Sequence, residues 1–408
     1  MLKLVFPHLV KYSQIRRILD RKAKNENAYW LMPARASNTL QSPANRYLEY
    51  SAEDIQMRKH VLFFVHGMGS YVNASGTPNH SWSKAAVKAL KEQYNEYAIL
   101  KLAPFDDRFD IVHINYDTEF HKLLKRWDDE GQTILASGDA SGSEVTKLLA
   151  WLQGGSQLDD NFAWTHVSDV ILYGFFSLVR QRIKIHVANQ FRNALAPNAD
   201  GAVTSWSVIA HSLGTIVTHD VLHALDSTTP NQAGVSILDS MVPSANVVAM
   251  IANITKIMEN DVDVYESLVV PSSAVQMQSA CFNYLSCINQ FDPFVIPDPF
   301  DPAGHTPWDV ALANETFLDI ETENVHELNV HAFANYIINP AVHIPLLERL
   351  CGLGSILPNE KQAAFDNFVN IPDETVEEAF DLLIEEFEDA EWIELIGNLY
   401  ARWGAAND

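Results

Sequence analysis

The stretch Ser205–Thr215 reads Ser-Trp-Ser-Val-Ile-Ala-His-Ser-Leu-Gly-Thr and predicts a strand, a sharp turn and a helix in succession. The apolar, β-branched part ends at Ala210, and after Gly214 apolar residues recur at helical spacing. A nucleophile elbow needs small residues two positions before and two after its serine, because the turn strains the serine backbone. Gly214 meets this need, and Ala210 departs from it by one methyl group. Ser212 is therefore expected at the positive end of a helix, although an ordinary strand-to-helix connection fits the same five residues.

A second signal lies at residues 60–70, His-Val-Leu-Phe-Phe-Val-His-Gly-Met-Gly-Ser. A continuous apolar run bounded by glycines is typical of a strand that is buried on both faces of a parallel sheet. His66-Gly67-Met68-Gly69 then predicts a turn with free backbone N–H groups, followed by a helix from Ser81 to Tyr94. A loop of this kind at the start of a helix could bind a phosphate, or it could bind no ligand. Nucleotide binding has little support, because the chain contains neither of the glycine-rich nucleotide motifs.

Further strands are expected at Phe109–Tyr116, Asn246–Ile254, Ser279–Gln290 and Val325–Val330. A helix is expected near Val342–Leu350, started by Asn339-Pro340. Before the elbow strand comes an insertion over about residues 119–200, which is long for a connection in an α/β domain. Its second part predicts a long helix from about Val167 to Leu195. A loop with five prolines follows Asp292 and excludes regular structure there.

The chain is expected to form three regions. Residues 1–58 predict a helix and an extended arm packed on the core, residues 59–350 the main α/β domain, and residues 351–408 a helical, acidic extension. Between Asp373 and Glu394 there are eleven acidic residues and no Lys or Arg. A C-terminal helix with a solvated acidic side is favoured there over a tail that binds a partner.

The net charge of −24 disfavours nucleic acid and anionic membrane surfaces as partners, because their phosphates would be repelled. The three cysteines are too few and too badly spaced for a disulfide framework, which indicates a reducing compartment, the cytoplasm. No signal peptide or transmembrane segment is recognisable, since the most apolar run, 170–179, is too short to span a bilayer. The oligomeric state is not predicted.

Four segments together resemble the α/β-hydrolase superfamily, and within it the lipase and esterase branches: His66-Gly67-Met68-Gly69, Ala210-His211-Ser212-Leu213-Gly214, Asp292-Pro293 and His331. The resemblance covers about residues 60–350 without the insertion. It implies a mostly parallel central sheet flanked by helices, with a helical insertion before the nucleophile strand and a helical C-terminal extension.

The resemblance also implies a catalytic triad in the chain order Ser212, Asp292, His331. Asp292 is favoured because it directly follows a buried strand, whereas its rivals lie in the proline-rich loop; they are Asp298, Asp301 and Asp309. His331 is favoured because it follows the expected last strand. His326 and His343 are interpreted as a strand histidine and a helix histidine.

The oxyanion hole implied by the resemblance consists of the backbone N–H groups of Leu213 and Met68. His66, Gly67 and Gly69 form the loop that supports it. No cofactor or metal is expected. The sequence His326-Glu327-x-x-x-His331 does not predict zinc, since histidines five residues apart do not share a helix face.

These residues predict a serine hydrolase that cleaves a carboxylic ester, with a small-molecule or lipid-like ester as substrate. An amidase or acyltransferase would use the same triad, and a catalytically silent scaffold that binds a partner is the alternative outside enzymes. In the insertion, Tyr173 and Phe176 are candidates for a lid that contacts an apolar acyl chain. The other interpretation of that helix is ordinary core.

Overall fold

The structure is a computed structural model of the 408-residue chain. It describes residues 59–67, 71–73, 76–123, 125–126, 173, 177–196, 203, 205–227, 244–256, 263–271, 279–292, 294–295, 298–372 and 375. All of these belong to one compact unit, Lys59–Asp389. The arm expected at 1–58, most of the insertion and nearly all of the acidic stretch lie outside the described residues, so the domain boundaries stay predictions.

The described residues form a six-stranded sheet in which every neighbouring pair of strands is parallel. The order across the sheet is β2-β1-β3-β4-β5-β6. The strands are β1 His60–Val65, β2 Phe109–Ile114, β3 Trp206–His211, β4 Ala245–Ile251, β5 Cys281–Asn289 and β6 Phe317–Thr322. The strands β1 and β3 are buried along almost their whole length, which explains their continuous apolar sequences. The predicted α/β class with a parallel sheet is therefore confirmed.

Helices connect and cover the strands. They are α1 Ser81–Glu96, α2 Phe105–Arg108, α3 Ser177–Leu195, α4 Leu213–Ser227, α5 Thr306–Ala313, α6 Phe333–Ile338, α7 Pro340–Cys351 and α8 Pro358–Asp366. The start of α7 is as predicted, because the Asn339 side chain accepts a hydrogen bond from the Ala341 N–H. Within the part of the chain that the structure describes, no helix is long and apolar enough to cross a membrane.

Helices cover both faces of the sheet. Two neighbouring residues of β1 show this, because each contacts a different helix. Phe63 packs on Phe191 of α3, with ring centroids 4.4 Å apart. Phe64 packs on Phe333 of α6, at 6.4 Å. Since successive side chains of a strand point to opposite faces, α3 and α6 lie on opposite sides of the sheet. Helix α4 packs against α3, and helices α1 and α7 pack against α6.

The described part of the insertion helix, α3, belongs to the core. Its one apolar stripe is buried, as the residues show: Val179, Ile183, Val187, Phe191 and Leu195. For this part, the core interpretation of the insertion helix is confirmed. Phe176, one of the two predicted lid residues, lies outside the described residues.

The predicted strand at Val325–Val330 is wrong, and the last strand that the described residues form is β6, which ends at Thr322. Strand β6 is an edge strand with the sequence Phe-Leu-Asp-Ile-Glu-Thr, and its outward positions are acidic. Residues 325–330 form a loop whose backbone groups bond to side chains instead. The Asn335 amide, for example, bonds to the N–H and C=O of Glu327 and to the C=O of Asn329.

The sheet changes direction between β1 and β3. After β1 the chain forms β2 on one side of it, and then returns to form β3 on the other side. In open α/β sheets, the carboxyl ends of the strands at such a point border a crevice in which ligands bind. Gly67 follows β1 and Ser212 follows β3, so both predicted segments meet at this position.

The two segments meet so closely that a side chain would not fit at Gly214. A Cβ atom placed there would lie 2.3 Å from the His66 carbonyl oxygen and 2.8 Å from the Val65 carbonyl oxygen. Both are backbone atoms of the β1 end, which cannot rotate away. Gly214 therefore lets helix α4 begin directly against β1.

We expect Gly214→Ala to lower the free energy of unfolding by roughly 1–3 kcal/mol, the usual cost of forcing extra volume into a packed site. In an unobstructed helix the same substitution would raise it by about 1 kcal/mol. Urea unfolding of both proteins measures the difference. A variant as stable as the wild type would show that the contact is not tight.

Candidate active site

Ser212 occupies the strained turn that its sequence predicts. Its φ angle is +53°, in the left-handed region that side chains disfavour. The turn is held on both sides, since the Ser212 N–H donates to the Ile251 carbonyl of β4 and the Ser212 carbonyl accepts from both the N–H and the hydroxyl of Thr215. The serine is fixed by backbone contacts rather than by its own side chain, which leaves the hydroxyl for other partners.

The structure brings Ser212, His331 and Asp292 together in one hydrogen-bonded chain. The Ser212 Oγ lies 2.8 Å from His331 Nε2. The other ring nitrogen of His331, Nδ1, lies 3.0 and 2.9 Å from the two carboxylate oxygens of Asp292. Because Nδ1 faces a carboxylate, it carries the proton, and Nε2 accepts from the serine hydroxyl. Neither Ser212 nor Asp292 has exposed surface.

Asp292 is a buried carboxylate whose two oxygens face three donors. Besides the His331 Nδ1–H, which the two oxygens share, they are the Tyr336 hydroxyl at 2.7 Å and the Phe294 N–H at 3.0 Å. Burial by itself would raise the pKa of Asp292, but the His331 charge and these hydrogen bonds outweigh it and hold the pKa below its usual value. The carboxylate is therefore ionised at neutral pH.

Tyr336 is a part of the site that the sequence analysis missed. Its hydroxyl donates to Asp292 and accepts from the Asn289 N–H, which ties the acid to the end of β5. Burial, and then the Asp292 charge, raise the pKa of Tyr336 well above its usual value, so it stays a donor. The residue lies on α6, a short helix that no sequence pattern predicted.

His331 lies on a loop, and its position there depends on His211. The Nε2 of His211 donates to the His331 carbonyl, 2.7 Å away. The His211 ring in turn stacks on Trp82, with centroids 5.8 Å apart, and meets the edge of Phe333. His211 directly precedes the serine in sequence, so one side chain ties the strained turn to the loop that carries His331.

The loop after β1 approaches the serine from the other side. A Cβ atom on Gly67 would lie 2.7 Å from the Ser212 Cβ, so only glycine fits. The Gly67 carbonyl accepts from His66 Nδ1 at 2.8 Å and from the Tyr116 hydroxyl at 2.9 Å. Burial lowers the pKa of His66 to about 3, which keeps its ring neutral. Met68 and Gly69 lie outside the described residues, whereas Leu213 is the first residue of α4.

A cavity of about 270 Å³ lies beside the histidine. Its wall consists of Tyr71, Trp82, Ala85, Ala86, His211, Asn329, His331, Ala332, Phe333 and Ala334. Tyr173, the described one of the two lid candidates, is not in this wall. It is buried, and its hydroxyl donates to Asp220 of α4. The described aromatic wall of this cavity thus comes from Tyr71, α1 and α6 rather than from the insertion.

The rival residues of the sequence analysis bond elsewhere. Asp301 and Asp309 accept backbone N–H groups within the proline-rich loop, where Asp298 also lies. His343 is a helix histidine, as predicted, and bonds to the Tyr97 hydroxyl. His326 is not on a strand; its Nδ1 donates to the Val369 carbonyl.

A second serine–histidine pair allows a comparison. Ser267 Oγ lies 2.8 Å from His219 Nε2, and both residues are buried. The nearest oxygen of Asp220 is 3.8 Å from His219 Nδ1, which is too long for a hydrogen bond. Among the described residues, only the series Ser212–His331–Asp292 combines a strained turn with two successive short hydrogen bonds. Within the same residues, no group of three or more His, Cys, Asp or Glu could hold a metal ion.

Comparisons of the chain with protein-family models, curated proteins and solved structures give no match. What the site can do has therefore to be inferred from its own geometry. A buried serine, an imidazole and an ionised carboxylate in this order form the arrangement that activates a hydroxyl group as a nucleophile.

Replacing the buried carboxylate should change the pH dependence of stability. The folded-state pKa of Asp292 is lowered, so its ionisation stabilises the fold above the unfolded-state pKa of about 4, and this contribution is lost as the pH falls through the folded-state value. We expect Asp292→Asn to be much less stable than the wild type at pH 6, with a difference that shrinks toward pH 2. Urea unfolding across this range measures it; a difference that grows at low pH would contradict the assignment.

Proposed function

We propose that the protein is a serine hydrolase of the α/β-hydrolase type that cleaves a carboxylic ester through an acyl-enzyme intermediate. The observation that carries the proposal is the hydrogen-bonded series Ser212–His331–Asp292, in which the serine has a φ angle of +53°. A strained residue persists only where the surrounding structure holds it, and such residues cluster at functional sites. The proposed α/β-hydrolase relationship rests on the same elbow and on the parallel sheet that carries it.

In the first step, the Ser212 Oγ attacks the ester carbonyl carbon while His331 Nε2 takes the hydroxyl proton. When the tetrahedral intermediate breaks down, the bond to the alcohol oxygen breaks and His331 returns the proton to that oxygen. Asp292 keeps Nδ1 protonated and stabilises the imidazolium that forms in between. Water then attacks the acyl-enzyme by the same route, which releases the acid and restores Ser212.

The oxyanion of each intermediate needs N–H donors beside Ser212. We assign one to Leu213, since the first N–H groups of a helix have no partner within that helix and the dipole there favours negative charge. We assign the other to Met68, as the sequence predicts. The preceding carbonyl, that of Gly67, is held by His66 and Tyr116. Because a trans peptide directs its C=O and its N–H oppositely, these bonds would fix the direction of that donor.

An amidase would use the same three residues, because His331 could return its proton to a leaving amine as well; an ester is proposed first because its alcohol is the better leaving group. An acyltransferase would differ only in the group that attacks the acyl-enzyme. A silent scaffold is disfavoured, since a buried ionised Asp292 costs free energy unless it is well paired and gives a binding protein no evident benefit.

The location that fits the proposal is the cytoplasm. The three cysteines are unpaired, and Cys281 and Cys287 are buried along β5. Burial raises the pKa of the Cys351 thiol to about 11, so this half-buried residue stays a thiol. Unpaired cysteines of this kind fit a reducing compartment.

We expect Ser212→Ala and His331→Ala to abolish hydrolysis of p-nitrophenyl acetate to the same background, because nucleophile and base act as one unit. The matched controls are Ser267→Ala and His219→Ala, which break the other buried serine–histidine pair and should keep activity within about twofold. His326→Ala should keep it as well. Equal losses in both pairs, or activity of Ser212→Ala within tenfold of the wild type, would refute the assignment.

Tyr116→Phe should lower kcat about tenfold with little change in KM, since losing an oxyanion donor costs at least a hundredfold and a loosened one less. Tyr94→Phe is the control: its hydroxyl is also buried and donates to a backbone carbonyl, that of Ala103 at 2.7 Å, but far from Ser212 in the fold. Steady-state kinetics of both variants decides the matter. Similar kcat values for the two would mean that Tyr116 only stabilises the fold.

A further inference from the structure

The cavity beside His331 has no role in the mechanism derived so far. It is bounded by the start of α1, by residues 329–334 around the start of α6, and by Tyr71 and His211. We propose that it binds the alcohol portion of the substrate, and that this portion is uncharged and apolar, such as a benzyl or naphthylmethyl group. This inference rests on the proposed ester hydrolysis and names its substrate class.

The position of the two reacting side chains assigns the cavity to the alcohol. His331 is part of the wall, whereas Ser212 is not. The alcohol oxygen must come within hydrogen-bond distance of His331 Nε2 to receive its proton as the ester bond breaks. The carbon atoms attached to that oxygen then lie next to the His331 ring. The acyl group, in contrast, stays attached to Ser212 Oγ and extends from there.

The composition of the wall defines the chemical class. Three aromatic side chains and four alanines provide most of it, and no Asp, Glu, Lys or Arg contributes among the described residues. Asn329 and the two histidines are its polar members. A charged or polyhydroxylated alcohol would lose its hydration there without gaining enough partners, which disfavours its binding. An apolar alcohol is stabilised there in proportion to the apolar surface that it buries.

The volume limits the size of the alcohol. An apolar protein cavity of about 150 Å³ is known to hold one benzene molecule. The cavity of about 270 Å³ therefore has room for one substituted ring or two fused rings, but not for a long lipid chain. A lipid-like ester would have to place its long chain elsewhere.

Trp82 is the residue that shapes this subsite. Its ring stacks on His211 and meets the ring of Phe333 edge to face at 5.5 Å. It is thus held from two sides, by Phe333 and by His211, which also bonds to the His331 carbonyl. Ala85 lies about one helix turn after Trp82 on α1. It is exposed and borders the same cavity, so a larger side chain at this position can enter the cavity without disturbing the core.

The test uses two series of simple esters. In the alcohol series, acetates of ethanol, benzyl alcohol and 1-naphthylmethanol share one acyl group. In the acyl series, ethyl acetate, butyrate and hexanoate share one alcohol. Each kcat/KM is divided by the rate of alkaline hydrolysis of the same ester, which removes differences in intrinsic reactivity. For the wild type we expect a naphthylmethyl-to-ethyl ratio of at least ten.

Two variants then locate the subsite. In Ala85→Phe the new ring narrows the cavity, and the naphthylmethyl-to-ethyl ratio should fall below three while the hexanoate-to-acetate ratio stays as in the wild type. Trp82→Ala should lower the benzyl-to-ethyl ratio by removing the main aromatic wall. Lys84→Phe is the matched control, because Lys84 is exposed on the same helix and does not border the cavity; both ratios should stay unchanged.

Different failures have different meanings. A hexanoate-to-acetate ratio that falls in Ala85→Phe as much as the alcohol ratio overturns the inference, since the cavity would then hold the acyl group. An alcohol ratio that Ala85→Phe leaves unchanged overturns it too. If the wild type hydrolyses no ester faster than Ser212→Ala does, the proposed function itself fails, and this inference with it.

Discussion

The close approach of the β1 end to the turn between β3 and α4 is the constraint on which the site depends. Two glycines make it possible: Gly214 lies against the His66 carbonyl, and Gly67 lies against Ser212. Because both strands are central and parallel, their carboxyl ends bring the loop and the elbow to one place. A side chain at either glycine would separate the serine from the loop that we assign to the oxyanion hole.

The second constraint is a charge without access to water. Asp292 has no exposed surface, so its ionised form survives only through the partners that surround it. Two of these partners lie on one short segment: His331 on the loop just before α6, and Tyr336 on α6 itself. The position of the proposed base is therefore fixed by buried electrostatics as well as by packing, and His211 adds a bond to its backbone.

The sequence predicted those features that are encoded locally. Strands β1 and β3 are long apolar runs, and the Ser212 turn has its own small-residue pattern, so both could be recognised. Strand β6 was missed because an edge strand with acidic outward positions lacks such a run. Tyr336 and Trp82 act through contacts with residues far away in sequence, and no spacing indicates such contacts. Asp292 and His331 were predicted from their positions after strands. The structure does place His331 beside Ser212, although the strand predicted just before it, Val325–Val330, is a loop.

The central claim is that Ser212 is an activated nucleophile, and covalent labelling tests it most directly. The full chain is treated with a fluorophosphonate, its intact mass is measured, and the modified peptide is mapped. Activation by His331 predicts a single adduct on Ser212, formed by the wild type and absent after His331→Ala. An unmodified wild-type protein, or an adduct on Ser267 or another hydroxyl, would contradict the claim.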